Sequence, residues 1–272
     1  MEDKLSVEIL TEGERNLKFL VEGRPEGLGY LKKYEGSKLG LVLIQEWWGL
    51  NQSLTITADK VAAQGFNVLV PDVYRGAVAK NREEAGHYFK DLDWSGAIQD
   101  MKGAANYLKN QLGCTKVGIL GFCLGGALTF AALSATDGIF SAGAPFYGIP
   151  DQTKYPIQKI KVPVQGHFGE LDQIKGMSDP ETAKKLEVEA KKAGVDFNAI
   201  VWKGAEHAFM NQNSSHYNPE VAQKALLEIV GRCDQKLNQN LKDDERNLKS
   251  VEGRPELTGY MKKQQGSNLD QY

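Results

Sequence analysis

Cys123 stands in Gly121-Phe122-Cys123-Leu124-Gly125-Gly126, between the apolar run 116–120 (KVGIL) and the small, apolar segment 127–133. The first run reads as a buried strand and the second as a helix. Glycines on both sides of a nucleophile between strand and helix allow a sharp turn that pushes the nucleophile out at the helix N-terminus. Here that nucleophile is a thiol. The pattern alone fits an ordinary buried cysteine equally well. A thiol nucleophile needs a base, and the base needs an orienting carboxylate. On parallel sheets these follow the nucleophile in the order acid, then histidine.

The histidines downstream are His167, His207 and His216. His207 lies in Lys203-Gly204-Ala205-Glu206-His207-Ala208-Phe209, just past the strand-like run 197–202, where a base belongs. His167 sits within an apolar run and reads as a packing residue, while His216 and His87 lie in polar, surface-like segments. For the acid, the run 162–168 leads into Gly169-Glu170-Leu171-Asp172, which offers Glu170 and Asp172. Asp172, further past the strand, is preferred. A carboxylate there would fix the imidazole tautomer and stabilise imidazolium. Glu46 ends the run 39–44 amid Trp47 and Trp48, where a carboxylate is costly without a partner. The thiol at the adjacent strand end would be that partner. The N–H groups of Leu124 and Trp47 are the expected oxyanion donors.

The elements that must hold these residues follow from periodicity. Continuous apolar runs at 39–44, 66–70, 116–120, 139–147, 162–168 and 197–202 alternate with helical patterns at 53–63, about 82–89, 95–112, 179–193 and 218–237. Ser53 is the expected cap of the first helix, and Asp179-Pro180 and Asn218-Pro219 open the last two. Alternation at this spacing implies an α/β fold, a mostly parallel sheet covered on both faces. The runs 7–10, 17–21 and 28–31 read as antiparallel edge strands ahead of it. Residues 14–37 recur at 245–267 with one deletion, VEGRPE at 21–26 matching 251–256. We therefore expect one domain over 1–237, then a polar linker and this partial repeat over 238–272.

The 272 residues are 41% apolar and 25% charged, as in a soluble globular protein, and the net charge of −2 offers no basic field to nucleic acid or anionic membrane. The opening MEDKLSVEIL lacks the apolar centre of a signal peptide. Three widely spaced cysteines, Cys114, Cys123 and Cys233, form neither a disulfide framework nor a CxxC site. A cytoplasmic setting with free thiols is expected.

Gln45-Glu46-Trp47-Trp48-Gly49-Leu50-Asn51, Val70-Pro71-Asp72-Val73-Tyr74, the motif around Cys123, Gly169 to Asp172 and Gly204 to Phe209 together resemble the dienelactone hydrolase (carboxymethylenebutenolidase-like) family over residues 15–235. The resemblance implies an α/β-hydrolase fold, no cofactor or metal, and hydrolysis of a small ester or lactone by Cys123, Asp172 and His207. It also implies that Glu46 holds the resting thiol until substrate displaces it. Two arginines clamp the substrate carboxylate in bacterial members. Arg75 is one position out of register with the first, and Asn211 occupies the place of the second, so a bidentate clamp is not expected. Arg75, Trp48, Phe209 and Asn211 are the expected substrate-binding positions. The expected partner is a small-molecule ester or lactone, not nucleic acid or membrane, for a monomer or a homodimer able to exchange strands through the repeat. A non-catalytic small-molecule-binding protein on the same fold is the alternative.

Overall fold

The computed structural model describes residues 12–229. The expected strand at 7–10, the end of the last helix, Cys233 and the repeat at 245–267 lie outside the described residues. The chain divides into two units, Met1–Leu226 and Leu227–Tyr272, and the architecture below is that of the first.

In chain order the elements are β1 (Leu17–Phe19), β2 (Gly27–Lys32), β3 (Leu39–Ile44), α1 (Gln52–Ala62), β4 (Asn67–Pro71), α2 (Arg82–Lys90), α3 (Trp94–Asn110), β5 (Lys116–Phe122), α4 (Leu124–Ala135), β6 (Ala142–Phe146), β7 (Val164–Gly169), α5 (Pro180–Lys192) and β8 (Phe197–Trp202). A further helix starts at Pro219, with Asn218 accepting from the N–H of Val221 at 3.1 Å. The eight strands form one sheet in the order β1-β2-β4-β3-β5-β6-β7-β8. β1 and β2 run antiparallel to their neighbours, and β4 to β8 pair in parallel. Central strands are covered on both faces, which is why they read as unbroken apolar runs. Val42, Leu43 and Ile44 of β3 are fully buried.

From β3 the chain moves to β4 on one side, then returns to β5 on the other. The strand order therefore reverses between β3 and β5, and the crevice beyond their C-terminal ends is where such sheets bind ligands. Glu46 follows one of these ends and Cys123 the other.

Four helices take the caps that local chemistry dictates. Asn81, Asp93 and Asp179 accept from N–H groups in the first turns of α2, α3 and α5. The cap of α1 is Asn51, whose Oδ1 accepts from the N–H of Leu54 at 3.0 Å. Ser53, the expected cap, lies inside the helix instead. Asn51 wins because it also ends the turn after β3, so its backbone is already extended (φ −102°, ψ 172°).

Two glycines let α4 press onto the strand ends. A Cβ on Gly125 would lie 2.5 Å from the carbonyl oxygen of Ile44, and one on Gly126 would lie 2.2 Å from that of Phe146. Among the described residues no helix is long and apolar enough to cross a membrane.

Candidate active site

Cys123 occupies the cap position of α4 with φ 53° and ψ −113°, a left-handed conformation disfavoured for a residue with a side chain. The surroundings impose it. Its N–H donates to the carbonyl of Phe146 at 3.0 Å, and its own carbonyl accepts from the N–H of Ala127 at 3.1 Å. Gly121 and Gly148 have no room for a Cβ, which would sit 2.2 Å from the oxygen of Gly125 and 2.0 Å from that of Cys123. Strand and helix thus clamp the turn, and the thiol is left partly exposed.

Three loops converge on that thiol. His207, on the loop after β8, places Nε2 3.2 Å from the Cys123 Sγ. Its Nδ1 lies 2.8 Å from Oδ2 of Asp172, on the loop after β7. Asp172 is fully buried, and its Oδ1 accepts from the N–H of Ile174 at 3.0 Å. Glu170, the other candidate acid, turns away and accepts from the N–H of Gly204 at 2.8 Å, bracing one loop on the other. Burial is the strongest single influence on the His207 imidazole and pulls its pKa down. The hydrogen bonds to Asp172 and Cys123, with their charges, together outweigh it and raise the pKa to about 10.

Two further side chains join the site that sequence reasoning did not single out. Ser178 is fully buried, with Oγ 3.2 Å from His207 Nδ1. Tyr147, also fully buried and at φ 35°, sets its ring edge-on to His207 with centroids 5.0 Å apart. Its hydroxyl donates to Oε1 of Glu46 at 3.3 Å. A signal existed for each: Ser178 precedes the Asp179-Pro180 cap, and Tyr147 ends an apolar run at the catalytic edge of the sheet.

Glu46 departs from expectation. Its oxygens are bound by Tyr147 and by Asn211 Nδ2, the latter at 2.6 Å. Among the described residues the hydrogen-bond partner of the Cys123 thiol is His207, so the carboxylate does not hold the thiol. With Tyr147 and Asn211 in reach, Glu46 finds better donors than Sγ–H. Burial raises the Glu46 pKa, against the lowering influence of His207, Asn211 and Tyr147.

Three expected substrate-binding positions make contacts within the protein. Arg75 pairs with Asp100 and donates to the carbonyls of Pro25 and Glu26 at 3.2 and 3.1 Å, so its guanidinium is already engaged. Phe209 is fully buried against Phe146 and Tyr147, where it supports the site from behind. Trp48 packs with Ala79 and Ala85, while Trp47 meets it edge-on and stays partly exposed. Asn211, by contrast, does line the cleft beside the site, together with Glu46 and Tyr147.

The remaining histidines play other parts. His167 is fully buried, stacked between Phe146 and Trp202, and accepts from Trp202 Nε1 at 3.1 Å. His216 is exposed and lies 3.4 Å from Glu206. Among the described residues no group of three or more His, Cys, Asp or Glu side chains is set to hold a metal ion.

A mostly parallel sheet with a cysteine in the strand–turn–helix elbow after β5, a carboxylate after β7 and a histidine after β8 is the arrangement of an α/β-hydrolase. The sequence pattern of the dienelactone hydrolase family matches residues 27–235, and the chain belongs to that family. It is 34% identical over 209 residues to "Protein usf" of Aquifex pyrophilus, covering 72% of this chain and 88% of that one. It is 27% identical to a carboxymethylenebutenolidase of Pseudomonas putida, covering 71% and 83%. Among solved structures it resembles a dienelactone hydrolase-like promiscuous phosphotriesterase from metagenomic libraries, with TM-score 0.67, 22% identity and coverage of 80% and 97%. It also resembles a brefeldin A esterase described as a bacterial homologue of human hormone-sensitive lipase, with TM-score 0.62, 14% identity and coverage of 79% and 74%. The last two likenesses concern the fold.

Proposed function

We propose that the protein hydrolyses a small carboxylic ester or lactone through an acyl-enzyme on Cys123. The observation that carries this reading is the line from Sγ to His207 to Asp172, with spacings of 3.2 and 2.8 Å, drawn from three separate loops.

In the first half-reaction His207 Nε2, favoured in its protonated form, holds the thiol proton while Sγ attacks the carbonyl carbon. The developing oxyanion faces the N–H groups of Leu124 and Trp47. Neither has a backbone carbonyl partner among the described residues, which supports their role as donors. One well-aimed donor of this kind is worth about 3 kcal/mol of barrier. Collapse of the tetrahedral intermediate breaks the C–O bond, and the leaving oxygen takes the proton from His207. In the second half-reaction His207 deprotonates a water that attacks the thioester. The carboxylic acid leaves and the proton returns to Sγ. Asp172 keeps the Nδ1 proton in place throughout, so Nε2 remains the working nitrogen.

Turnover of p-nitrophenyl acetate is expected, with an acetyl adduct on Cys123 visible by mass spectrometry under rapid quench. Cys123→Ala should abolish both. Undiminished turnover in that variant would remove the thiol from the mechanism.

A further inference from the structure

Each oxygen of the Glu46 carboxylate is bound to a side chain that braces the loop carrying His207. Oε2 accepts from Nδ2 of Asn211, four residues beyond His207, at 2.6 Å. Oε1 accepts from the Tyr147 hydroxyl at 3.3 Å, and that hydroxyl accepts in turn from the N–H of Met210. The Tyr147 ring stands against the imidazole itself, with centroids 5.0 Å apart and planes at 63°. We infer that Glu46 is a positioning residue: through Asn211 and Tyr147 it fixes residues 207–211 so that Nε2 of His207 stays on the Cys123 sulfur. The inference rests on the hydrolase reading above and gives Glu46 a part in it other than holding the thiol.

The loop needs a brace because it turns immediately after the base. Ala208 adopts φ 62°, a left-handed conformation disfavoured for a residue with a side chain. Asn211 closes this turn, its N–H donating to the carbonyl of Ala208 at 3.0 Å and its Oδ1 accepting from the N–H of Asn213 at 3.0 Å. Nδ2 is the remaining arm, and it reaches Glu46. Tyr147 is strained as well, at φ 35°. Two such residues persist only where their surroundings over-determine them, and one carboxylate joins both. The imidazole needs this support. Asp172 and Ser178 hold it at Nδ1, and bonds at one nitrogen leave the ring a pivot about which Nε2 travels furthest. The Tyr147 ring beside it limits that swing. Its hydroxyl, held between Glu46 and Met210, keeps the ring in place.

The test uses p-nitrophenyl acetate. Glu46→Ala and Asn211→Ala should each lower kcat about tenfold, as a misplaced base does, with KM changed less than about twofold. The double variant should be no slower than the slower single one, because both changes cut the same brace. Glu46→Gln should recover most of the loss, since its oxygen can accept from Asn211 and its amide can donate to the Tyr147 oxygen. Tyr147→Phe keeps the ring, cuts its tie to Glu46 and serves if an alanine variant does not fold; it should lower kcat about threefold, the scale of one modest hydrogen bond. Iodoacetamide alkylation of Cys123 at pH 7.5, followed by mass spectrometry, needs no turnover. It should slow about fivefold in Asn211→Ala, where Nε2 no longer sits on the sulfur to take its proton. A Gln variant as impaired as the Ala variant, losses that multiply in the double variant, or alkylation at the wild-type rate in Asn211→Ala would overturn the inference and leave the hydrolase reading intact. Folded wild type that does not cleave the ester would overturn the hydrolase reading, while the alkylation rates would still judge the brace.

Discussion

At the scale of single residues, the site depends on which atoms reach His207. Nδ1 faces two oxygens, Asp172 Oδ2 at 2.8 Å and Ser178 Oγ at 3.2 Å. One N–H shared between them is held in plane more firmly than by the carboxylate alone. Ser178→Ala is expected to lower kcat about fivefold, the size of one modest hydrogen bond, with KM little changed. Steady-state kinetics would show it, and an unaltered kcat would make Ser178 a packing residue. The raised His207 pKa also has a sign for stability. An imidazole favoured in its protonated form by the fold contributes stability in full below its ordinary value of 6.5, and loses it as pH rises through about 10. Asp172→Asn should therefore cost most in Tm near pH 6.5, and the gap to wild type should shrink by pH 10. A gap that widens across this range would contradict the account. That Cys123, Asp172 and His207 would meet was legible in the sequence because each follows a strand-like run. The pairing of Arg75 was not legible for the opposite reason: a charge at nearly the right register says nothing about Asp100, 25 residues further on.

At the scale of elements, the elbow works because α4 sits almost on the strand ends. The helix carries small residues at its start for that purpose. Gly125→Ala puts a methyl 2.5 and 2.6 Å from the carbonyl oxygens of Ile44 and Gln45, both backbone atoms with no rotamer to change. We expect it to cost about 1–3 kcal/mol in urea denaturation and to lower activity, because the shift that relieves the clash moves the turn holding Cys123. A variant as stable and active as wild type would mean that α4 can retreat freely. Strand positions were read from apolar runs because buried parallel strands leave no alternation to misjudge. The α1 cap was misjudged because Asn51 and Ser53 are both good caps, and only the turn after β3 decides between them.

At the scale of the molecule, what sequence could not show is how the sheet order gathers distant loops. Tyr147 after β6 and Asn211 beyond β8 meet Glu46 after β3, separated by 101 and 165 positions. Their competition for that carboxylate is invisible to any local pattern, and it turns Glu46 away from the thiol. The antiparallel edge is likewise fixed by distant pairs: Arg15 donates to Asp72 at 2.6 Å, Arg24 to Asp93 at 2.6 Å, and Tyr30 to Asp59 at 2.7 Å. The strand that delivers Cys123 has one more consequence. Cys114 precedes β5 and Cys123 follows it, so the length of a seven-residue strand, about 20 Å, separates the two thiols. A disulfide tolerates about 6 Å between Cα atoms. If peroxide converts Cys123 to a sulfenic acid, Cys114 cannot resolve it, and among the described residues there is no other cysteine. The strand that sets Cys123 in its turn therefore also keeps the buried thiol at its other end out of reach of any oxidation there.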